Sequence, residues 1–404
     1  MKRTISIIGA NVAGVAAAET LRSEGFDGRI VLLSNEPTLP YERPPLSKEG
    51  LNPGSSGPVP LQDEAFYSLQ DIELRTNTSV MSIDCSRRRL IQIDGSELPT
   101  DQVILCTGAS VRRLNVPGAA LEGVCYLRTY DDAVLLADYL GRVEHVVIVG
   151  MGIIGAEVAA KARALGCRVT AIEASGWPLS RALGRIAGEL LINHHLKRGL
   201  ALRLNTCVSR FVGEDGRVRA VETTEGERLP ADLVLVGVGV IPNDVVARQA
   251  GVAVDNGVVI DGLCRTSVPD VYAAGDVANQ VDFFGQRQRH ENVACAREQG
   301  VMAARAILGM NVDCRPIPAS WTDQFDMNIQ VLGRISEGTV IARRGEVESG
   351  QFSLFYLRGG ILEGAVSVNS PRVASGARQL IASGWRGDAG LLSDEAVDLR
   401  RLRA

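Results

Sequence analysis

The sequence predicts an α/β protein in which one strand, glycine turn, helix and strand unit occurs twice, followed by a separate α+β domain. Three observations predict this fold class. Two short β-branched runs each end in a glycine-rich turn. A helical segment and a second apolar run follow each turn. Beyond about residue 316 the pattern changes to alternating, strand-like segments.

The first unit begins at the N-terminus, and its parts are a strand at 4–8, the turn GANVAG, a helix at 12–23 and a strand at 29–33. The second unit has the same order: a strand at 145–149, the turn GMGIIG, a helix at 153–165 and a strand at 168–172. Because parallel strands are buried on both faces, continuous apolar runs fit this arrangement. Two such units in one chain predict two dinucleotide sites.

The remaining segments predict further elements in chain order. They are a loop at 52–60, a hairpin at 90–93 that turns at Asp94-Gly95, strands at 102–105, 232–236 and 271–274 that run into glycine motifs, strands at 329–332, 352–356 and 361–368, and a helix at 372–383.

Composition excludes several classes of protein. The net charge of −4 gives no reason to expect nucleic acid or an anionic membrane as a partner. The apolar start of the chain passes directly into a glycine turn, so we interpret it as a buried strand in a cytoplasmic protein. Eight cysteines are spread singly, with no C-x-x-C pair and no metal-ligand spacing. The sequence therefore predicts reduced thiols and no metal site.

The second glycine turn carries the complete G-x-G-x-x-G pattern in Gly150, Gly152 and Gly155. Such a turn lets the backbone approach a pyrophosphate at a helix N-terminus. Glu173 ends the following strand, where a carboxylate binds ribose hydroxyls and repels a 2′-phosphate. Neither Ala174 nor Ser175 supplies a cation, so NADH is favoured over NADPH. The alternative is a purely structural turn.

The first glycine turn is less regular, because Asn11 stands where the second glycine belongs, between Gly9 and Gly14. Asn tolerates left-handed backbone better than other non-glycine residues, so we expect the turn to survive. Glu36 supplies the ribose carboxylate. The segment YERPPLSK at 41–48, called here the proline loop, presents Arg43 and Lys48. Its charges either face a bound group or are solvated.

Eight motifs occur in order: GANVAG, YERPPLSK, ILCTGA, LRTYDDA, GMGIIGAE, GVGVIPN, VYAAGDVA and SWTDQ. Together they resemble the FAD-containing NADH:ferredoxin reductases of bacterial aromatic-ring (Rieske) dioxygenase systems, such as the toluene and biphenyl systems. Putidaredoxin reductase and rubredoxin reductase are near relatives. The resemblance implies a glutathione-reductase-like fold, with FAD-binding segments at 1–112 and 244–316, an NAD-binding domain at 113–243 and a C-terminal α+β domain at 317–404.

The resemblance also implies site residues. For FAD they are Gly9, Asn11, Ala13, Gly14, Glu36, Arg43, Pro45, Lys48, Val80, Thr107, Gly108, Arg128, Asp276 and Val293. For NADH they are Gly150, Gly152, Ile153, Ile154, Gly155, Glu157, Glu173, Gly237 and Gly239. Lys48 and Glu157 are expected near the contact of nicotinamide and flavin, and Trp321 over the isoalloxazine. An ordinary core tryptophan is the alternative for Trp321. Cys295 replaces an Asn that is usual in the family.

The implied reaction is hydride transfer from NADH to FAD, followed by two one-electron transfers to a [2Fe–2S] ferredoxin that serves a terminal oxygenase. The protein is expected to be a monomer or weak homodimer. Alternatives are the ferredoxin reductase of a cytochrome P450 system, a flavin-dependent disulfide or peroxide reductase, and a flavin-binding interaction protein. The ferredoxin is expected to dock near Trp321, with Arg289 and Arg372 as candidate contacts. The adjacent pair His194 and His195 is assigned a structural or surface role.

Overall fold

The computed structural model describes residues 2–55, 57–310, 315–335 and 340–402, with the side chains at 180–182 and 340 left aside. The chain divides into two compact units. Unit 1 comprises Met1–Glu42, Pro58–Ser110 and Val240–Ile317. Unit 2 comprises Arg43–Gly57, Val111–Gly239 and Pro318–Ala404.

Unit 1 is built on a five-stranded parallel sheet, in which the order of the strands is Val271–Ala273, Gln102–Leu105, Thr4–Ile8, Arg29–Leu33 and Ile72–Arg75. The helix Val12–Ser23 packs against the helix Val293–Ile307. At Gly300 an added Cβ would lie 2.2 Å from the carbonyl oxygen of Ala13, so glycine sets how closely these two helices approach.

Smaller elements complete unit 1. They are an antiparallel sheet of Val80–Asp84, Arg89–Gln92 and Glu97–Pro99, a mixed sheet of Val258–Val259, Ala278–Val281 and Arg287–Arg289, and the helices Glu64–Leu69 and Val245–Gln249. Two short strands, Ala109–Val111 and Val240–Pro242, lie at the limits of the units.

Unit 2 contains a second five-stranded parallel sheet, with the order Ala201–Leu204, Arg168–Glu173, His145–Val149, Leu233–Val236 and Val124–Cys125. Its helices are Tyr130–Leu140, Ile153–Ala164 and Ser180–Lys197, the last kinked at Gly184. An antiparallel sheet of Val208–Glu214, Arg217–Thr223 and Arg228–Pro230 follows. Short 3₁₀ helices occur at Pro44–Ser47, Glu49–Leu51, Val347–Ser349 and Leu399–Arg401.

The C-terminal part of unit 2 is an antiparallel sheet with the order Ala319–Gln324, Met327–Gly333, Ile361–Val368, Gln351–Arg358 and Val340–Glu346. The helices Pro371–Ala382 and Ala389–Ser393 accompany it. The predicted fold class is confirmed, because each unit contains one Rossmann-like sheet and the chain ends in an α+β region. The predicted domain limits stay a prediction.

Candidate active site

Unit 1 brings its predicted FAD-binding residues to one edge of its parallel sheet. The first glycine turn (residues 9–14) follows the strand Thr4–Ile8, and Glu36 follows Arg29–Leu33. Thr107 and Asp276 follow the strands Gln102–Leu105 and Val271–Ala273. Carboxyl ends of parallel strands share an edge, and α/β sheets bind ligands there. The arrangement therefore fits a dinucleotide.

The first glycine turn leaves no room for side chains at two of its positions. An added Cβ would lie 2.0 Å from the carbonyl oxygen of Cys106 at Gly9, and 2.0 Å from the carbonyl oxygen of Gly9 at Gly14. Gly9 also has a φ of +112°, a conformation that side chains rarely adopt. Glycine is therefore required for the chain to turn directly from strand to helix.

Asn11 fits into the first glycine turn for a reason other than the left-handed backbone that the sequence analysis expected. Its backbone is extended, with a φ of −122°, rather than left-handed. Its side-chain oxygen accepts a hydrogen bond of 2.9 Å from the backbone N–H of Val12, and it serves as the N-cap of the helix. Asn11 thus fits the turn because an extended N-cap position accepts a polar side chain.

Thr107 and Gly108 are held by Asn243, a residue that the sequence analysis did not single out. The Thr107 hydroxyl donates to the carbonyl oxygen of Asn243 at 2.7 Å, and the Asn243 amide donates to the carbonyl oxygen of Thr107 at 2.8 Å. The backbone N–H of Asn243 also donates to Gly108 at 3.0 Å. The signal was present, since Asn243 ends the motif GVGVIPN.

The segment around Asp276 is fixed by buried polar residues. Gln299 accepts a hydrogen bond from the backbone N–H of Gly275 at 2.8 Å and donates to Gln280 at 2.9 Å. Arg289 donates to the carbonyl oxygen of Asp276 at 3.0 Å and pairs with Glu291 at 2.8 Å. The Arg289 side chain is only 8% exposed, which does not favour its predicted role as a surface contact for ferredoxin.

The structure also shows the positions of the remaining residues that were predicted to bind FAD. Glu36 accepts a hydrogen bond from the Tyr41 hydroxyl. Ala13 is buried in the first helix, while Val80 begins a strand and Val293 begins a helix. In unit 2, Arg43 donates to the backbone carbonyl of Arg128 at 2.5 Å, which brings two predicted FAD-binding residues together. Pro45 lies in the 3₁₀ helix Pro44–Ser47.

The second glycine turn (residues 150–155) repeats the geometry of the first in unit 2. An added Cβ at Gly155 would lie 2.0 Å from the carbonyl oxygen of Gly150. One at Gly150 would lie 2.6 Å from the carbonyl oxygen of Gly237. A Cβ at Gly152 would meet open space instead, and Gly152 caps the helix with no side-chain partner. The helix N–H groups are therefore accessible to a phosphate.

Glu173 lies at the mouth of this turn. Its carboxylate accepts hydrogen bonds from the backbone N–H groups of Met151 at 2.8 Å and Ser175 at 2.9 Å. Ile153 and Ile154 begin the helix, and Ile154 is 43% exposed. Gly239 has a φ of +99° with open space beside it. These residues fit the predicted binding of a nicotinamide dinucleotide.

Lys48 and Glu157 form an ion pair, which the sequence analysis did not predict, and both lie in the same unit as the second glycine turn. The Lys48 ammonium is 3.3 Å from the Glu157 carboxylate and 3.9 Å from that of Asp323. Glu157 is only 3% exposed. Its carboxylate also accepts hydrogen bonds from the Ser47 hydroxyl, from the Thr322 hydroxyl at 2.7 Å and from the backbone N–H of Asp323 at 3.4 Å.

Trp321 precedes Thr322 on the strand Ala319–Gln324. Successive side chains of a strand point to opposite faces, so Trp321 points away from the face on which Thr322 meets Glu157. Trp321 is partly exposed, unlike Trp385, which is 3% exposed. An ordinary core tryptophan therefore describes Trp385 better than Trp321.

Two buried cysteines, Cys106 and Cys125, do not have the properties of redox-active thiols. The seven cysteines in the described part of the chain are thiols, and Cys314 lies outside it. Burial raises the pKa of Cys106, and burial together with Asp132 raises the pKa of Cys125 to about 11. Reactive cysteines need the opposite shift, toward a thiolate at neutral pH.

The described ranges contain no helix of sufficient length and hydrophobicity to cross a membrane. Within the same ranges, His, Cys, Asp and Glu side chains form no group of three or more that could hold a metal ion.

Comparison with known proteins identifies two family models. One, described as pyridine nucleotide-disulphide oxidoreductase, matches residues 3–300, and one described as reductase C-terminal matches residues 320–403. The chain is 38% identical, over 381 residues, to the ferredoxin–NAD(+) reductase subunit of the benzene 1,2-dioxygenase system of Pseudomonas putida. That alignment covers 94% of this chain and 93% of the relative.

Solved structures of full-length relatives agree. The ferredoxin reductase for the CYP199A2 system from Rhodopseudomonas palustris matches with a TM-score of 0.94 and 34% identity, over 99% of this chain and 100% of that one. The covalent complex of putidaredoxin reductase with putidaredoxin matches with a TM-score of 0.92 and 33% identity, over 98% and 97%. The chain therefore belongs to the pyridine nucleotide-disulphide oxidoreductase family, and it is an oxidoreductase that binds FAD and NAD(H).

Proposed function

We propose that this protein is a ferredoxin reductase that takes electrons from NADH and delivers them to a small [2Fe–2S] ferredoxin. The observation that carries the proposal is the presence of two dinucleotide cradles, one at the carboxyl edge of each parallel sheet, together with a chain that lacks any cysteine pair. FAD, when bound, accepts a hydride and releases electrons singly, which joins a two-electron donor to a one-electron acceptor.

The residues of unit 2 support NADH as the donor. The open backbone at Gly152 admits a pyrophosphate, and the helix that begins at Ile153 directs N–H groups toward it. Glu173 already accepts two backbone hydrogen bonds, which fixes its carboxylate beside the turn. A fixed carboxylate binds the two ribose hydroxyls and repels a 2′-phosphate.

Lys48 and Glu157 support the assignment of the reaction centre. The buried Glu157 carboxylate accepts hydrogen bonds from Ser47, from Thr322 and from the backbone N–H of Asp323, and it pairs with the Lys48 ammonium. It therefore holds the Lys48 ammonium in one place at low entropic cost. An ammonium group held beside a bound flavin favours added negative charge there. We assign both residues, with Trp321, to the catalytic site.

A disulfide or peroxide reductase is the competing enzyme class. Such an enzyme relays electrons through a cysteine close to its flavin. Neither the helix Val12–Ser23 nor the proline loop contains a cysteine. Cys106 is buried with a raised pKa, which opposes a role as an electron relay. These observations favour an iron–sulfur protein as the acceptor.

The terminal acceptor is proposed to be an aromatic-ring dioxygenase, reached through its ferredoxin. The relative from the benzene 1,2-dioxygenase system supports this choice. A cytochrome P450 system is the second candidate, and the ferredoxin reductase for the CYP199A2 system supports it. Both candidates require the same chemistry of this chain, namely NADH oxidation and ferredoxin reduction.

The acceptor is tested by comparing electron acceptors at equal NADH concentration. The FAD-loaded protein is assayed with a [2Fe–2S] ferredoxin, with an aromatic disulfide and with hydrogen peroxide. We expect ferredoxin to be reduced at least about 100-fold faster than either alternative, a difference in activation free energy of about 2.7 kcal/mol. Faster reduction of the disulfide or of peroxide would contradict the proposal.

A further inference from the structure

Four buried polar side chains of unit 2 form a continuous hydrogen-bonded chain, called here the His195 chain. His195 Nε2 lies 2.6 Å from Gln324 Oε1, and Gln324 Nε2 lies 2.9 Å from Thr322 Oγ1. Thr322 Oγ1 lies 2.7 Å from the Glu157 carboxylate. The four residues are between 0% and 3% exposed. The His195 chain thus links the helix Ser180–Lys197, through the strand Ala319–Gln324, to the ion pair of Glu157 with Lys48.

The hydrogen bonds of the His195 chain run in one direction. A carboxylate only accepts, so the Thr322 hydroxyl donates to Glu157. That hydroxyl oxygen then accepts from the Gln324 amide nitrogen, and the amide oxygen of Gln324 accepts from His195. His195 must therefore carry its proton on Nε2, because a carbonyl oxygen cannot donate.

The surroundings of His195 keep it neutral. Its Nδ1 is buried and has no hydrogen-bond partner in the described part of the chain. Burial is the main cause that lowers the pKa of His195; the hydrogen bond to Gln324 opposes it, and nearby His194 and Arg198 add to it. The ring also meets Phe325 edge-on, with centroids 5.0 Å apart. A proton on Nδ1 would be a buried donor without an acceptor, which is unfavourable.

Burying four polar groups costs free energy that an apolar cluster of similar volume would not cost. This cost is explained if the orientation of the Glu157 carboxylate, at the end of the His195 chain, matters for function. We propose that His195 and Gln324 are positioning residues, which act through Thr322 to orient the Glu157 carboxylate and so hold the Lys48 ammonium for hydride transfer. This inference rests on the proposed function, in which Lys48 and Glu157 belong to the reaction centre.

The first test measures coupling along the His195 chain in the FAD-loaded protein, independently of NADH. With ¹⁵N-labelled histidine, NMR should show His195 as the neutral Nε2–H form, identified by its loss in His195→Gln. The substitutions Glu157→Gln and Gln324→Met should each shift the His195 Nε2 signal, although Glu157 does not touch the ring. A His195 signal that is unchanged in Glu157→Gln, or one that shows an Nδ1–H ring, would overturn the proposal.

The second test measures flavin reduction by NADH in stopped flow. His195→Leu and Gln324→Met should lower the limiting rate about five- to tenfold, the loss expected for one oriented hydrogen bond. His195→Gln, which keeps a donor nitrogen, should restore at least half of the rate. His194→Leu is the matched control, because His194 lies on the same helix as His195 but outside the His195 chain. His194 contacts Asp326, which lies in the turn between the strands Ala319–Gln324 and Met327–Gly333.

Different results would contradict the proposed function and the positioning role of His195 and Gln324. A wild-type protein whose flavin is not reduced by NADH would contradict the proposed function, while the NMR coupling would still be measurable. Normal reduction in the wild type and equal rates in His195→Leu, Gln324→Met and His194→Leu would contradict only the positioning role. If His195→Leu does not fold, Gln324→Met and the Glu157→Gln spectrum decide the matter.

Discussion

At the scale of single residues, Glu36 and Glu173 are the two carboxylates predicted to bind ribose hydroxyls. They occupy similar positions in the sequence pattern but accept hydrogen bonds from different partners. Glu36 accepts from the Tyr41 hydroxyl, whereas Glu173 accepts from two backbone N–H groups at the glycine turn. The strand and turn pattern was enough to predict both positions. The partners could not be predicted, because they depend on side-chain directions that a spacing rule does not contain.

The first prediction concerns the choice of dinucleotide. The wild type should favour NADH over NADPH by at least about tenfold in kcat/KM, or about 1.4 kcal/mol. Glu173→Ala should reduce this ratio several-fold, since it removes the charge that repels a 2′-phosphate. Glu189→Ala serves as the control, because Glu189 is an exposed helical carboxylate paired with Arg185. An unchanged ratio in Glu173→Ala would show that another residue sets the preference.

The second prediction concerns Arg289 and Arg372, the two candidate contacts for ferredoxin, whose substitution should have different effects. Arg372 is exposed, so Arg372→Glu should raise the KM for ferredoxin about threefold at low salt and leave the KM for NADH unchanged. Arg289→Gln should instead lower the free energy of unfolding by about 2 kcal/mol, because it removes a largely buried donor to the carbonyl oxygen of Asp276 and an ion pair with the more exposed Glu291.

Steady-state kinetics at two salt concentrations and urea unfolding make these measurements. Ferricyanide reduction is the control for Arg372→Glu, since it needs no docking surface. An Arg372→Glu protein with equal changes in both KM values would remove Arg372 from the docking surface. A fully stable Arg289→Gln protein would contradict the structural role of Arg289.

At the scale of elements, the strongest sequence patterns predicted several of the parallel strands and the first helix to the residue. Thr4–Ile8, Val12–Ser23, Arg29–Leu33 and His145–Val149 have the predicted limits. The limits of the helix Ser180–Lys197 were not predicted, because Gly184 interrupts its pattern and the tertiary structure tolerates a kink there. The partners of Glu157 were also missed, since Ser47 and Thr322 are 275 positions apart in sequence and look like ordinary polar residues.

The third prediction concerns the N-cap at the first glycine turn. Asn11→Ala should lower the free energy of unfolding by about 1 kcal/mol, because the first helix loses its side-chain cap. Asn11→Gly should cost only a few tenths of a kcal/mol and should still retain FAD. Urea unfolding of the flavin-free proteins measures both values. Equal stability of the alanine variant and the wild type would show that the cap contributes nothing.

At the scale of the whole molecule, each unit has a parallel sheet of its own with a glycine turn. Unit 1 has its own buried core around Ile7, Leu32 and Ile104, and a separate core in unit 2 includes Val147 and Val234. The chain was predictable as a two-nucleotide protein because the same local pattern recurs. Its division into two compact units was not, since the boundary falls inside the proline loop, whose residues 43–48 belong with unit 2.

The fourth prediction is that electron flow survives thiol blocking. At pH 8, iodoacetamide should modify the exposed Cys85 and Cys207 first, and buried Cys106 and Cys125 slowly, since their pKa values are raised. NADH-dependent ferricyanide reduction should remain above about 80% of its starting value, because no thiol relay is involved. Mass spectrometry identifies the modified sites. Loss of activity in Cys295→Ser with FAD still bound would instead indicate a thiol relay.

The central claim is that one NADH supplies two single electrons to a ferredoxin through bound FAD. Anaerobic titration of the FAD-loaded protein with NADH, in the presence of excess oxidised [2Fe–2S] ferredoxin, measures this directly from the iron–sulfur absorbance. The account predicts that about two ferredoxins are reduced for each NADH consumed, by conservation of electrons. NADH consumption without any reduced ferredoxin, under conditions in which ferricyanide is reduced, would contradict it.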